Sequence, residues 1–213
     1  MPRILICTIL MAVTLLFQGC AGKQQIPSLE KEASLAVAGF EQPQQNWQLL
    51  AGYLPEPSKM PDKQVFKDLN SWLMQEIEGS WDGQIASPLL TNQCKEIVLF
   101  EQKGRNFSAL KFWTLVGRCV PAKYLLVPQL FTWREREGGE WGVKEPAKVV
   151  LDLYLIDIEG KKILKRFHYE EEQQSLSANV FDIKSFFKRK ARWVKAEWLA
   201  KDAIAQGVKE LGL

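Results

Sequence analysis

The chain has 213 residues, with 28 basic against 25 acidic side chains, 46% hydrophobic residues and 25% charged ones. That is the composition of a globular protein long enough to bury a sizeable core, and a formal charge of +3 is too even to make nucleic acid the main partner. The single histidine, His168, leaves little to combine with the four cysteines, so zinc and a Cys-His nucleophile are both poor readings and no cofactor or metal is expected.

The first twenty residues read MPRILICTILMAVTLLFQGC. Arg3 gives a short positive start, Ile4 to Phe17 form an uncharged apolar run, and small Gly19 precedes Cys20, the layout of a secretory signal. The run is shorter than the roughly 20 apolar residues of a spanning helix. Its Gly19-Cys20 ending resembles the lipobox of bacterial lipoproteins, in which the cysteine thiol takes a diacylglycerol and becomes the mature N-terminus. Phe17 and Gln18 stand where that pattern usually has leucine and a small residue. The resemblance implies a signal peptide over residues 1–19, lipidation at Cys20 with palmitate-type acyl chains, and a place in the bacterial cell envelope. Ala21, rather than aspartate, after Cys20 implies the outer membrane, facing the periplasm. Ordinary secretion with cleavage near Ala21-Gly22 is the alternative. Loss of Arg3 leaves 27 basic against 25 acidic residues, a charge of +2.

Residues 20–34 are polar and aperiodic, a lipidated tether whose Ala21–Ser34 part reaches roughly 45 Å when extended. Leu35 to Phe40 (LAVAGF) predicts a buried first strand, and Gln42 to Pro61 a long loop with a short strand at Trp47–Leu50. Asp62 is placed to cap a helix that ends at Gly79, with Val65, Phe66, Leu69, Trp72, Leu73 and Ile77 on one stripe. Ser80 to Gln93 is irregular, and Cys94 to Phe100 fits either a helical turn or a strand. Ser108 caps a second helix carrying Ala109, Phe112, Trp113 and Val116, ended by Pro121.

Tyr124 to Trp133 predicts a strand in which Pro128, lacking an N–H, requires an edge or a bulge. Arg134 to Pro146 reads as an exposed connection. Val149 to Ile158 is apolar on both faces apart from Asp152 and Asp157, a central strand. Glu159-Gly160 turns it into Lys161–Glu172, with Ile163, Phe167 and Tyr169 on one side. Ser175 to Arg192 predicts a short helix and a loop, and a last helix runs from about Lys195 to Leu211. This order gives an α/β or α+β fold over residues 35–213: a single periplasmic domain with a mixed sheet, a C-terminal antiparallel hairpin and covering helices.

LAVAGFEQ at Leu35–Gln42, the capped helix at Asp62–Gly79 and AKYLLVPQL at Ala122–Leu130 together resemble a group of periplasmic bacterial domains. It comprises the N-terminal domain of the Tol-Pal protein TolB, the periplasmic domain of the curli secretion lipoprotein and the lipoprotein activators of penicillin-binding proteins. Pro121 and Lys123 replace the glycine and aspartate of the group's strand entry. The resemblance implies a non-catalytic binding, assembly or regulatory role with an envelope protein partner, and carries over no catalytic residue. The alternative is a structural subunit of an envelope export or transport complex. An envelope hydrolase is disfavoured because no nucleophile–base set is visible.

Among candidate groups, Glu170, Glu171 and Glu172 read as a solvated strand end, because neighbours on a strand face opposite ways. His168 reads as a half-exposed strand histidine. Cys94 and Cys119 are a candidate disulfide, with two separately buried thiols as the alternative. Lys188, Arg189, Lys190 and Arg192, among Phe186, Phe187 and Trp193, are a candidate binding surface for peptidoglycan carboxylates, anionic lipid or an acidic partner.

Overall fold

The computed structural model describes residues 29–54, 60–103, 108–139, 143–172 and 193–213. Residues 1–19, Cys20 and the basic side chains Lys188, Arg189, Lys190 and Arg192 lie outside the described residues.

The fold is mixed α/β. A five-stranded sheet runs in the order β2-β1-β3-β6-β7, from Ile85–Ala86 (β2), Leu35–Val37 (β1), Tyr124–Arg134 (β3), Lys148–Asp157 (β6) and Lys162–Glu172 (β7). β1 is parallel to both β2 and β3, while β3–β6 and β6–β7 are antiparallel. Glu137–Gly138 (β4) and Val143–Glu145 (β5) form a separate small pair in the Arg134–Pro146 connection. The described α-helices are Lys63–Glu78 (α1), Pro88–Glu101 (α2), Ala109–Cys119 (α3) and Ala196–Leu211 (α4).

Alternation along the strands divides the core between two faces of the sheet. Leu35, Val37, Leu126, Leu151, Leu153 and Leu155 join the cluster that includes Leu69, Leu73 and Ile77 of α1 and Leu199, Ala203 and Ile204 of α4. Ala36, Ala38, Leu125, Val127, Tyr154 and Ile156 join the other, with Cys94 and Val98 of α2 and Phe112, Trp113 and Val116 of α3. Two helical glycines permit this closeness. A Cβ on Gly207 would lie 2.5 Å from Leu153 and 2.6 Å from Phe167, and one on Gly117 would lie 2.2 Å from Ile158 Cδ1. The chain just after β3 and the strand β7 hold the two ends of α4. Glu135 accepts the Ala196 N–H at 3.3 Å, and Lys165 donates to the Leu211 carbonyl at 2.7 Å.

Several local expectations change. Trp47–Leu50 is not a strand: Asn46–Gln48 forms a 3₁₀ turn whose Gln48 side chain binds the Gln44 and Gln45 N–H groups. The irregular stretch 80–93 contains β2 and the start of α2, and Cys94–Phe100 is helical. Of the two readings of Pro128 the bulge holds and the edge does not, because β3 is an interior strand. Tyr124 donates to Ser34 O, Leu126 accepts from Ala38, and Leu130 donates to Glu41 O. Even-numbered residues of β3 therefore bond toward β1, and one extra residue between Ala38 and Glu41 opens the ladder opposite Pro128. Ile163 leaves the Phe167–Tyr169 face, because a register shift opposite Leu155/Ile156 adds Leu164 and turns Ile163 to the α3 side.

Residues 29–34, which the sequence places in the tether, are part of the folded body. Gly83 donates to Lys31 O at 2.8 Å, Trp81 Nε1 to Ala33 O at 3.0 Å, and Glu30 pairs with Lys123 at 2.6 Å.

Candidate functional site

The connection after β1 passes through α1 on one face of the sheet, and the connection after β2 passes through α2 and α3 on the other. Their carboxyl ends therefore open a crevice between α1 and α2, the place where parallel strands in open sheets receive ligands. It encloses about 480 Å³. Its floor is the chain leaving β1, pinned where Asn70 of α1 accepts the Phe40 N–H at 2.7 Å. Glu41 and Lys95 form an ion pair on one wall, with side chains only 20% and 24% exposed, and the Lys95 ammonium lies 5.9 Å from the Trp113 ring centre. Lys67, Asn92 and Leu89 complete the rim. The lining offers the Glu41–Lys95 charges, the amides of Asn70 and Asn92, the Thr91 hydroxyl and an apolar wall, groups able to hold a ligand by charge, hydrogen bonds and apolar contact.

The outer face of α2 continues from this rim. Leu89, Leu90, Ile97 and Phe100 are 73%, 46%, 50% and 82% exposed. At about 100° per residue they fall within one arc of roughly 100°, flanked by exposed Glu96 and Glu101. The opposite arc, Thr91, Cys94 and Val98, is buried. α2 is thus apolar on two faces, one in the core and one in water. It is stapled to α3, since Cys94 and Cys119 form a disulfide with an S–S distance of 2.03 Å.

A second polar centre lies on the sheet itself. Asp152 is fully buried, yet it accepts hydrogen bonds from Tyr154 OH at 2.5 Å and from Arg166 Nε and Nη2 at 3.0 and 2.8 Å, and His168 Nδ1 lies 2.6 Å from it. Gln129, Asp152 and His168 stand in one cross-strand row. The next rows pair Lys148 with Glu170 at 3.0 Å and Arg134 with Glu172 at 2.5 Å. Burial raises the Tyr154 pKa, and the bond to Asp152 raises it further. The hydrogen bond to Glu170 raises that of Lys148. Burial works against ionisation of Glu172, but the hydrogen bond and charge of Arg134, followed by Lys148, outweigh it and lower its pKa.

The structure thus joins Cys94 to Cys119 and sets His168, Glu170 and Glu172 in a network of ion pairs, while Glu171 accepts a hydrogen bond from Tyr169 OH at 3.2 Å. Among the described residues no group of His, Cys, Asp or Glu is placed to hold a metal, and no helix is long and apolar enough to cross a membrane. The crevice and the α2 stripe were not anticipated. The 89, 90, 97, 100 spacing was legible as one arc, but only after a helix had been assigned there.

No family model and no curated protein matches the chain. In three dimensions it is similar to PelC from a dodecamer of Paraburkholderia phytofirmans (14% identity, TM-score 0.47, covering 87% of this chain and 91% of that one). It is also similar to the C-terminal domain of LpoB from Salmonella enterica (12%, 0.38, 76% and 93%). A further similar structure is the lipoprotein GNA1162 from Neisseria meningitidis (12%, 0.37, 75% and 98%). At these identities and scores the likeness is one of chain course and says nothing of role.

Proposed function

We propose that this chain is a lipid-anchored protein of the bacterial cell envelope that acts by binding a protein partner, in an assembly or regulatory role without catalysis of its own. One observation carries the reading: α2 holds four large apolar side chains in water on one arc beside a crevice, with the exposed amide of Gln93 among them and Glu96 and Glu101 at the flanks, and exposed apolar surface rimmed by charge marks an interaction site. The partner that fits is an amphipathic segment of an envelope protein. Its apolar residues cover Leu89, Leu90, Ile97 and Phe100, and its basic residues meet Glu96 and Glu101. The leader supports the anchor, with residues 1–19 removed, Cys20 lipidated, and residues 21–28 linking the lipid to the body at the periplasmic side of the outer membrane.

Two experiments test the two halves. Cys20→Ser should release the protein from membranes or stall its processing; a variant that matures and fractionates like wild type refutes the anchor. A photocrosslinker at Ile97 in native envelopes should yield one dominant adduct, lost in Leu89→Ser/Phe100→Ser while thermal unfolding is unchanged. Persistence of that adduct in the double variant refutes the docking face. A ring-sized particle from detergent-extracted protein, dissolved by the same double variant, makes α2 a contact between subunits instead.

A further inference from the structure

A groove of about 320 Å³ runs between the outer face of α3 and the turn joining β6 to β7. Lys111 and Arg118, one face of α3 at i and i+7, and Lys161 from the turn line it. All three are exposed, and none is in an ion pair among the described residues. The acidic side chains of the neighbouring turn are Asp157, which accepts the Gly160 N–H at 2.9 Å, and Glu159. Between the cations lie half-buried Leu110 and Leu115. The walls are fixed relative to each other, because α3 meets the turn where Gly117 leaves no room for a Cβ against Ile158.

The groove also lies at the end of the sheet where the chain enters the fold. Ile158 donates to Lys123 O at 3.1 Å, and Lys123 is paired with Glu30. Eight residues, 21–28, separate Cys20 from Leu29, a reach of roughly 30 Å at most. The crevice, by contrast, is at the other end, where β1 stops.

We propose that this groove seats the phosphate of an anionic phospholipid. Lys111, Arg118 and Lys161 take the charge, and the glycerol and first acyl carbons lie on Leu110 and Leu115. Bare phosphate would leave those leucines uncovered, which favours the lipid. A body held there stands on the bilayer by its anchored end and turns the crevice outward. That orientation rests on the anchor proposed above, whereas the groove's affinity for lipid does not.

The test uses the chain from residue 20 onward with Cys20→Ser, which keeps every described residue, and vesicles of phosphatidylcholine with or without phosphatidylglycerol. Flotation with the anionic vesicles only, reduced at least about tenfold by Lys111→Glu/Arg118→Glu/Lys161→Glu with normal thermal unfolding, is the expected result. If the triple variant unfolds early, Lys111→Gln and Arg118→Gln singly are read the same way, each expected to weaken flotation. No binding to anionic vesicles, or binding unchanged in folded variants, overturns the proposal. Millimolar inorganic phosphate that perturbs the amide signals of α3 while vesicles do not bind overturns it in favour of a free phosphate ligand. Failure of the anchor would show separately, in the cell fractionation of Cys20→Ser.

Discussion

The carboxylate of Asp152 has no exposed surface, and the guanidinium that neutralises it, Arg166 on the neighbouring strand, is 2.8 Å away and 41% exposed. One partner is locked in the sheet and the other reaches in from water. Arg166→Met leaves the buried carboxylate with Tyr154 and His168 only, and should cost about 2 kcal/mol. That is less than the about 3–5 kcal/mol for breaking a fully buried pair, because exposed Arg166 is partly screened. Urea unfolding measures it, and a loss under about 0.5 kcal/mol would show that the other two donors suffice.

Tyr154 links the same carboxylate to alkaline stability. A free tyrosine ionises near 10.0, and burial here raises the value. Above pH 10 the unfolded chain releases a proton that the folded chain still holds. The contribution is therefore complete below pH 10 and lost as pH rises through the higher folded value. Tyr154→Phe should lower stability at neutral pH by about 1–2 kcal/mol, through one lost hydrogen bond to a charged acceptor. It should also flatten the decline above pH 10; an unchanged slope would exclude Tyr154 as its source. Lys148 adds a decline of the same sign above 10.5 that this variant leaves in place.

Gly207 sets helix propensity against packing. Alanine in an exposed helix interior gains about 1 kcal/mol over glycine. At this position its methyl would enter the space of Leu153 and Phe167 at 2.5 and 2.6 Å, an overpacking that costs about 1–3 kcal/mol. Gly207→Ala should therefore lower the melting temperature, whereas Gly79→Ala, whose added Cβ would meet nothing closer than 3.7 Å, should not fall by a comparable amount. Equal melting temperatures would mean that α4 shifts off the sheet at little cost.

Cys94→Ala/Cys119→Ala should cost about 3 kcal/mol on the chain-entropy model for a loop of 25 residues. Hydrogen exchange should quicken first in α2, whose buried side is only Thr91, Cys94 and Val98. Uniform quickening across all helices would instead show that the disulfide stabilises the whole fold and not this helix.

α1, α3, α4 and the β6–β7 hairpin were legible because each combines one apolar face with end signals such as Ser108, Gly79 or the Glu159-Gly160 turn. The structure bears this out where Ser108 accepts the Lys111 N–H. β2 and α2 were hidden for physical reasons. β2 has two residues and exists through pairing with β1, and α2 carries apolar residues on opposite arcs, which blurs a 3.6-residue period. Asp152 stood out as a polar exception in an apolar strand. Its partners depended on the register that sets Arg166 and His168 beside it, and a bulge at Leu164 makes that register differ from simple counting back from the turn.

The placement of β1 has a consequence for how the fold is reached. β3, β6 and β7 are successive strands of the large sheet and pair with one another, whereas β1 slots between β2 and β3, with Ser34 bonded to Lys123 at a separation of 89 residues. Loop closure over that distance is slow, and contacts of high sequence separation form late. A chain that emerges from its N-terminus presents LAVAGF first, well before its partners β2 and β3 exist. During that interval the backbone of Leu35–Val37 has no ladder, and its side chains have no core. The first strand to arrive thus waits longest for its neighbours, which makes residues 35–40 the segment a chaperone or protease would meet.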